Sequence, residues 1–328
     1  MILVTGGAGF IGSNLVAGLE ESGAGPLVVC DRNGVGDDGR TIAKRQLEAC
    51  IEPEALFPFL DTHRAEMQAV FHLGAISSTM ETDASLFARN NYRLSLDLWR
   101  WCADANVRFI YASSAATYGD GAMGFDDDGS KAALAALRPL NLYGRSKHLF
   151  DRRVAALIAK GAPQPPQWAG LKFFNVYGPN EYHKGNQKSV VATAYPVAAA
   201  GQPVRLFKSY NAAYADGGQL RDFVWVGDCV GVMLWLLQHE DVSGLFNVGS
   251  GQARSFEDLA KALFAALGRS PEIEYIDMPE SIRERYQYFT EARMARLRDA
   301  GFNQPPTSLE DGVASYVRDY LMQEDPYR

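Results

Sequence analysis

Short apolar runs and longer helical patterns alternate through the first half of the chain. Strand-like runs occupy Met1–Thr5, Leu27–Asp31, Ala69–Leu73, Arg108–Ala112 and Leu171–Phe174. Between them Gly12–Ser22, Leu86–Ala105 and Gly144–Lys160 read as helices. Apolar strands separated by helices predict a parallel sheet covered on both faces.

From about Asn175 the alternation breaks. Gly178-Pro179 signals a turn, Tyr182–Lys188 is polar and basic, and Asn211–Gln219 is a small-residue loop. A strand at Phe223–Val226, a helix from Asp228 to about Gln238 and a strand at Leu245–Val248 follow. Ser255–Leu267 reads as a helix with Ser255 as its N-cap. The division this predicts is a cofactor domain of 1–174 plus about 222–251, with a substrate lobe of about 175–221 plus 252–328. The short Gly161–Gln167 segment reads as a surface turn between helix and strand.

Composition narrows the partners. The 328 residues are 47% hydrophobic and carry a net charge of −7. That balance argues against a nucleic-acid binder or an anionic-membrane binder, since both need a basic face. Cys30, Cys50, Cys102 and Cys229 are scattered without metal-ligand spacing and read as reduced thiols; no metal site is expected. Met1 runs straight into the first strand with no basic-then-apolar leader, so the expected location is the cytoplasm.

The segment Thr5-Gly6-Gly7-Ala8-Gly9-Phe10-Ile11-Gly12 joins the first strand to the first helix. Gly6, Gly9 and Gly12 suit a tight turn, a close approach to a pyrophosphate, and close packing of helix on strand. The anion would sit on free N–H groups at the helix N-terminus. Asp31 ends the second strand 19 residues after Gly12, where an acid binds the adenosine ribose. Asp31 favours the ribose diol of NAD, whereas Arg32 or Arg40 could hold the 2′-phosphate of NADP. From the residues alone both stay open.

Tyr143 and Lys147 stand four apart, on one face of a helix. A phenol of ordinary pKa about 10 is a poor base, and a neighbouring ammonium is expected to lower that value. Ser113-Ser114 ends a strand upstream, where a hydroxyl can share the proton, and Asn90 lies on the intervening helix. His72 reads as a structural histidine, Trp99 and Trp101 as packing or subunit contacts, and Asp126-Asp127-Asp128 as a solvated loop.

Together the motifs resemble the extended short-chain dehydrogenase/reductase family of nucleotide-sugar epimerases and dehydratases. They are VTGGAGFIGSN (Val4–Asn14), FHLGAISST (Phe71–Thr79), YASSAATYG (Tyr111–Gly119), YGRSK (Tyr143–Lys147), FFNVYGPNE (Phe173–Glu181) and RDFVWVGD (Arg221–Asp228), in family order along the chain. The resemblance implies an α/β fold: a Rossmann-type doubly wound parallel sheet with a smaller mixed α/β substrate-binding lobe. NLYGRSKHLFD (Asn141–Asp151), FFNVYGPNEYHKG (Phe173–Gly185) and ERYQYFTEA (Glu284–Ala292) resemble the branch that epimerises C6 of ADP-linked heptoses.

That resemblance implies an ADP-sugar substrate, NADP as cofactor with NAD as the alternative, and a homo-oligomer. Tyr143, Lys147, Ser114 and a second acid/base, Lys184, would be catalytic. Gly6, Gly9, Phe10, Ile11, Gly12, Asp31, Arg32, Leu73, Gly74, Ala75, Ile76, Ser77, Asn90, Lys147 and Val176 would touch the cofactor. Ser114, Asn175, Asn186, Phe207, Ser209, Arg221 and Tyr286 would line the substrate, with Arg283 or Arg285 near the diphosphate.

The chain departs from the branch pattern in three places. Asn186 stands where serine is usual, the Phe207–Arg221 loop is longer and carries Lys208, and Gly34–Gly39 replaces a lysine after Arg32. Inverting a carbon that bears a hydroxyl but no acidifying neighbour requires transient oxidation, with hydride returned to the other face. A dehydratase would need Asp-Glu at the strand end, where Ala115-Ala116 stands; a hexose C4 epimerase is the other rival. A non-catalytic dinucleotide-binding protein would not need Tyr143 and Lys147.

Overall fold

The computed structural model describes residues 1–34, 39–283 and 286–328, with Asn186 and Ser281 in backbone only. In chain order the strands are β1 (Ile2–Thr5), β2 (Leu27–Cys30), β3 (Ala49–Ile51), β4 (Ala69–His72), β5 (Arg108–Ser114) and β6 (Trp168–Phe173). They are followed by β7 (Asn175–Tyr177), β8 (Val204–Phe207), β9 (Leu220–Trp225), β10 (Gly244–Val248), β11 (Ala253–Ser255) and β12 (Ile273–Ile276).

The first six strands and β10 form one parallel sheet, ordered β10-β6-β5-β4-β1-β2-β3. Its inner strands are buried on both faces. Val4 packs with Leu15, Phe71 and Met233 on one side, while Leu3 packs with Val70, Trp99 and Phe109 on the other. The strand order reverses between β1 and β4, so the crevice beyond their carboxyl ends is the place where such sheets take ligands.

On one face the helix Phe10–Glu21 packs against Val226–Gln238 so closely that a Cβ on Gly18 would lie 2.5 Å from Val230. The other face is covered by Leu94–Ala105 and Leu142–Ile158. Trp99 is fully buried there, edge-on to Trp168 at 5.7 Å, a packing role as expected. Ser255 does cap its helix, in a reciprocal box with Asp258. The expected helix from Leu86 is interrupted by a π turn at Ala88–Arg93.

The smaller lobe has its own core, built on Tyr177, Val191, Leu259, Leu263, Val313 and Tyr316. It holds the β8–β12 pair and a three-stranded sheet ordered β11-β9-β7. This differs from the expected division, which returned the Phe223–Val226 strand to the cofactor domain. β9 instead pairs with β7 and β11, and only the helix Val226–Gln238 and β10 rejoin the main sheet. Strand β3 was not anticipated: Ala-Cys-Ile is three residues long and half-buried, too short to show a period.

Among the described residues no helix is long and apolar enough to cross a membrane. Asp127 corrects the expectation of a wholly solvated acidic loop. It is 1% exposed and accepts the backbone N–H of Asn247 at 2.8 Å. Burial pushes its carboxyl up to about 6, partly opposed by that hydrogen bond and by Arg296. An acid with a raised native pKa binds its proton more tightly when folded, so its ionisation costs stability as pH rises from about 4 to about 6. Asp127→Asn keeps the acceptor without the charge. In urea unfolding it should gain on the wild type between pH 4 and pH 7, by on the order of 1–2 kcal/mol; a constant difference would overturn this.

Candidate active site

The loop after β1 is shaped by backbone contact. Gly6 has φ +68°, and a Cβ there would lie 2.5 Å from the Gly74 nitrogen; one on Gly12 would lie 2.0 Å from the Gly6 carbonyl oxygen. The following helix starts at Phe10 without a side-chain cap, so its first N–H groups are free for an anion. Asp31 accepts the N–H of Ala8 at 3.1 Å and that of Asn33 at 3.0 Å, which fixes its carboxylate beside the loop. The open glycine cradle, the uncapped helix and the acid after β2 fit a nicotinamide dinucleotide. Of the two arginines considered for a 2′-phosphate, Arg32 pairs with Glu54 on the surface, and Arg40 lies 4.6 Å over the Tyr327 ring.

The segment Leu73–Ser77 leaves β4 directly against this loop, with Gly74 donating to the Thr5 hydroxyl at 3.2 Å. Ile76 is held through both its N–H and its carbonyl by Asn91, at 2.8 and 2.9 Å. Asn91 also donates to Ser146 at 2.9 Å, and Ser146 donates to the Tyr143 carbonyl at 2.7 Å. This bridge between the glycine loop and the Tyr143 helix has no signal in the sequence. The neighbouring Asn90, expected at the cofactor, donates to the Leu86 carbonyl one turn back at 3.0 Å. The π turn rotates Asn91 inward, and adjacent asparagines give no sequence signal to separate them.

His72 has both ring nitrogens engaged, with Thr5 at 2.7 Å and Ser95 at 2.9 Å. Burial pushes it down to about 3, so it is a neutral structural residue as expected.

Tyr143 and Lys147 lie in the first turns of the helix Leu142–Ile158, whose N-cap Asn141 accepts the Gly144 N–H at 2.8 Å. Gly144 is required there, since a Cβ would lie 2.6 Å from the Ala116 carbonyl oxygen. Ser114, at the end of β5, accepts from Ala116 at 3.1 Å. Burial pushes the Tyr143 phenol above its ordinary value, opposed by the nearby Ser114 hydroxyl. The direction is opposite to the lowering expected from Lys147, because desolvation of the phenolate is the largest influence. Lys147 is 3% exposed, and burial brings its ammonium down to about 8.

Arg221, on β9, is the central cation of the smaller lobe. It is 8% exposed, lies 5.2 Å over the Tyr286 ring, and has no carboxylate partner among the described residues. Phe207 meets Tyr286 edge-on at 6.5 Å, so these three candidates form one cluster. Gln287 donates to the Gly119 carbonyl at 2.9 Å, which ties the cluster to the turn that follows Ser114.

Other candidates are more loosely placed. Ser209 donates within its own loop to Asn211 at 2.8 Å, and exposed Asn175 accepts from Thr290 at 3.4 Å. Val176 is half-buried against the main core. The Lys184 ammonium stands 5.1 Å over the Phe10 ring at the head of the first helix, with its pKa lowered by burial. Arg283 stacks 4.0 Å over Tyr210. The Asn186 side chain, Arg285, and the central part of the Gly34–Gly39 stretch lie outside the described residues.

A dinucleotide cradle at the sheet's switch point, with a Ser-Tyr-Lys set beside it, defines a nucleotide-dependent enzyme of the short-chain dehydrogenase type. The family description "NAD dependent epimerase/dehydratase family" matches residues 2–249, and the chain belongs to that family. It is 48% identical over 330 residues, covering all of both chains, to an ADP-L-glycero-D-manno-heptose-6-epimerase of Nitratidesulfovibrio vulgaris. A Fusobacterium nucleatum protein of the same name is 45% identical over 335 residues, again covering all of both chains. Among solved structures, the Helicobacter pylori ADP-L-glycero-D-manno-heptose-6-epimerase superposes with a TM-score of 0.78 at 28% identity, over 97% of this chain and 95% of that one. UDP-glucose 4-epimerase of Thermus thermophilus, in complex with NAD, gives 0.74 at 26%, over 96% and 97%.

The glycine contacts set a direct test. Gly12→Ala drives a Cβ into the Gly6 carbonyl and must push the loop and helix apart. Dinucleotide affinity, measured by calorimetry, should fall at least about tenfold with little change in the melting of the smaller lobe. Unchanged affinity would remove the loop from the binding site.

Proposed function

We propose that this chain inverts C6 of ADP-D-glycero-D-manno-heptose, giving the L-glycero epimer. The observation that carries the reading is a pair of buried cations, Lys147 and Arg221, neither with a carboxylate in salt-bridge range among the described residues. A buried charge without a protein partner is costly and marks a place for an anionic or electron-rich ligand. Full-length relatives named as heptose epimerases support the choice of sugar.

Arg221 would bind the diphosphate, stacked on Tyr286, with Phe207, Ser209, Asn175 and Asn186 along the sugar-nucleotide. Tyr143 would take the hydroxyl proton from the sugar, aided by the Ser114 hydroxyl. Lys147, mostly charged at neutral pH, would hold the nicotinamide ribose and favour the phenolate as it forms. A bound nicotinamide supplies a hydride acceptor that returns the hydride, so no redox equivalent is consumed.

Inversion moves the sugar oxygen across the site, and Lys184 is assigned as the second proton donor and acceptor. Its lowered pKa supports that role. Its place over Phe10, at the head of the dinucleotide helix, favours a second reading as a phosphate contact. For the cofactor the reading is NADP, because the Arg32–Glu54 pair is exposed and weak enough to yield to a 2′-phosphate. NAD is the second reading, favoured by the Asp31 carboxylate beside the loop.

Incubation of the purified protein with ADP-D-glycero-D-manno-heptose, with C6 followed by NMR, should show conversion without consumption of cofactor. Tyr143→Phe should lower kcat by about 10²–10⁴-fold. Lys184→Ala should lower kcat with dinucleotide affinity intact; weakened NADP binding at preserved kcat would instead make it a phosphate contact. No conversion with NADP or NAD supplied would overturn the assignment of the sugar.

A further inference from the structure

Behind the catalytic helix lies a buried ion pair that the proposed chemistry does not use. Asp151 follows Tyr143 and Lys147 at successive four-residue steps, on the same face of the helix. Its carboxylate lies 3.1 Å from the Lys172 ammonium of β6, with side-chain exposures of 0% and 1%. Asp151 also accepts from Ser113 at 2.7 Å and Tyr111 at 3.0 Å. Lys172 donates to Thr117 at 2.7 Å and stands 4.7 Å over the Tyr118 ring. Thr117 in turn donates to the Ser114 carbonyl at 2.8 Å.

We infer that the Asp151–Lys172 pair is a positioning element for proton transfer, one that sets the charge state of the Tyr143–Lys147 couple from behind. The inference rests on the reading of Tyr143 and Lys147 as the proton-transfer couple. Each member of the pair is joined to one half of the site: Asp151 shares the helix of Tyr143 and Lys147, and Lys172 reaches Ser114 through Thr117. As a stabilising device alone the pair is a poor choice, since buried ion pairs seldom outdo apolar packing of the same volume.

Among the described residues, Asp151 is the charged group that acts on both members of the couple, with Lys172 as its buried counter-ion. From β4, His72 is neutral, held down at about 3. From β5 and the turn after it, Tyr111 and Tyr118 are pushed well up by burial and stay neutral. On the helix itself His148 is held down at about 4, with Arg152 and Arg138 acting on it rather than on Tyr143 or Lys147. Asp127 bears on Tyr118 and is not among the groups that shift the couple. Asp151 raises both Lys147 and Tyr143, and Lys172 is the counter-ion of that carboxylate at 3.1 Å, so its removal would leave the Asp151 charge unopposed.

The experiment is a pH titration of the full chain labelled with ¹³C at lysine Cε, with the Lys147 signal assigned through Lys147→Met. Wild-type Lys147 should titrate near its value of about 8. Asp151→Asn keeps an acceptor for Ser113 and Tyr111, and should move the midpoint down by about one pH unit. Lys172→Met should move it up, and Asp151→Glu should restore the wild-type midpoint. The alkaline limb of kcat/KM for heptose epimerisation should shift with the same signs. A purely structural pair would lower thermal stability while leaving the midpoints coincident, which overturns the inference.

If one single variant does not fold, the other reads the sign alone. If neither folds, the pair is a requirement of the fold and the inference fails. Opposite midpoint shifts in a chain with no epimerase activity would sink the reaction while leaving the electrostatic coupling intact.

Discussion

Gly6 and Gly74 meet backbone to backbone at the point where the sheet reverses its strand order, with no room for a Cβ between them. Much of the site is built outward from this contact. Thr5, beside Gly6, accepts from Gly74 and pairs with His72; His72 pairs with Ser95. The Ser95 hydroxyl donates to the Asn91 carbonyl, and the Asn91 amide holds both Ile76 and Ser146. One buried chain of hydrogen bonds thus runs from the dinucleotide loop to the helix of Tyr143 and Lys147. Such a chain is costly to leave half satisfied, so it specifies one geometry rather than a family of them. The glycine cradle and the Tyr143–Lys147 pair are held in register by the same network.

The main sheet was legible because its strands are apolar on both faces and its helices are amphipathic, two periods that read directly from the residues. The glycine loop, Ser114, Tyr143, Lys147 and Arg221 stand out in the sequence because each belongs to a short contiguous motif, and the structure shows where they lie rather than what they bind. What escaped was set by partners distant in sequence. Asn91 differs from Asn90 only through a π turn that no local pattern announces. Asp127 looks like its neighbours Asp126 and Asp128, yet it alone of the three is buried, against the backbone of a strand 120 residues away. Strand β9 reads as a sheet strand, but its register is set by β7 and β11, and that choice is tertiary. Lys172 gave a weak signal, a lysine within an apolar strand, and its meaning depends on Asp151.

Asp222, next to Arg221 on β9, shows how the smaller lobe is seated. Its two oxygens accept from Ser250, Gly251 and Ala292, at 2.6, 3.0 and 2.8 Å. One carboxylate therefore gathers the end of β10, the turn after it, and the segment that continues from Tyr286. Burial raises its pKa while these backbone donors lower it, so the donors offset the desolvation of the charge. Arg221 leaves the adjacent position on the same strand and stacks on Tyr286. Arg221 is thereby fixed relative to the main sheet by its neighbour.

Charge placement follows one logic across the molecule. Asp222 is satisfied by backbone N–H groups, and Glu181 by Ser189 and Gly178. Lys172 is satisfied by Asp151 and Thr117. Lys147 and Arg221 differ: both are buried, and among the described residues neither has a carboxylate within salt-bridge range. In a fold that otherwise pairs its buried charges directly, two buried cations without a carboxylate in salt-bridge range favour counterparts from outside the chain. In the proposed reading the diphosphate would answer Arg221, while Lys147 would meet the neutral hydroxyls of the cofactor ribose and the Tyr143 phenolate as it forms.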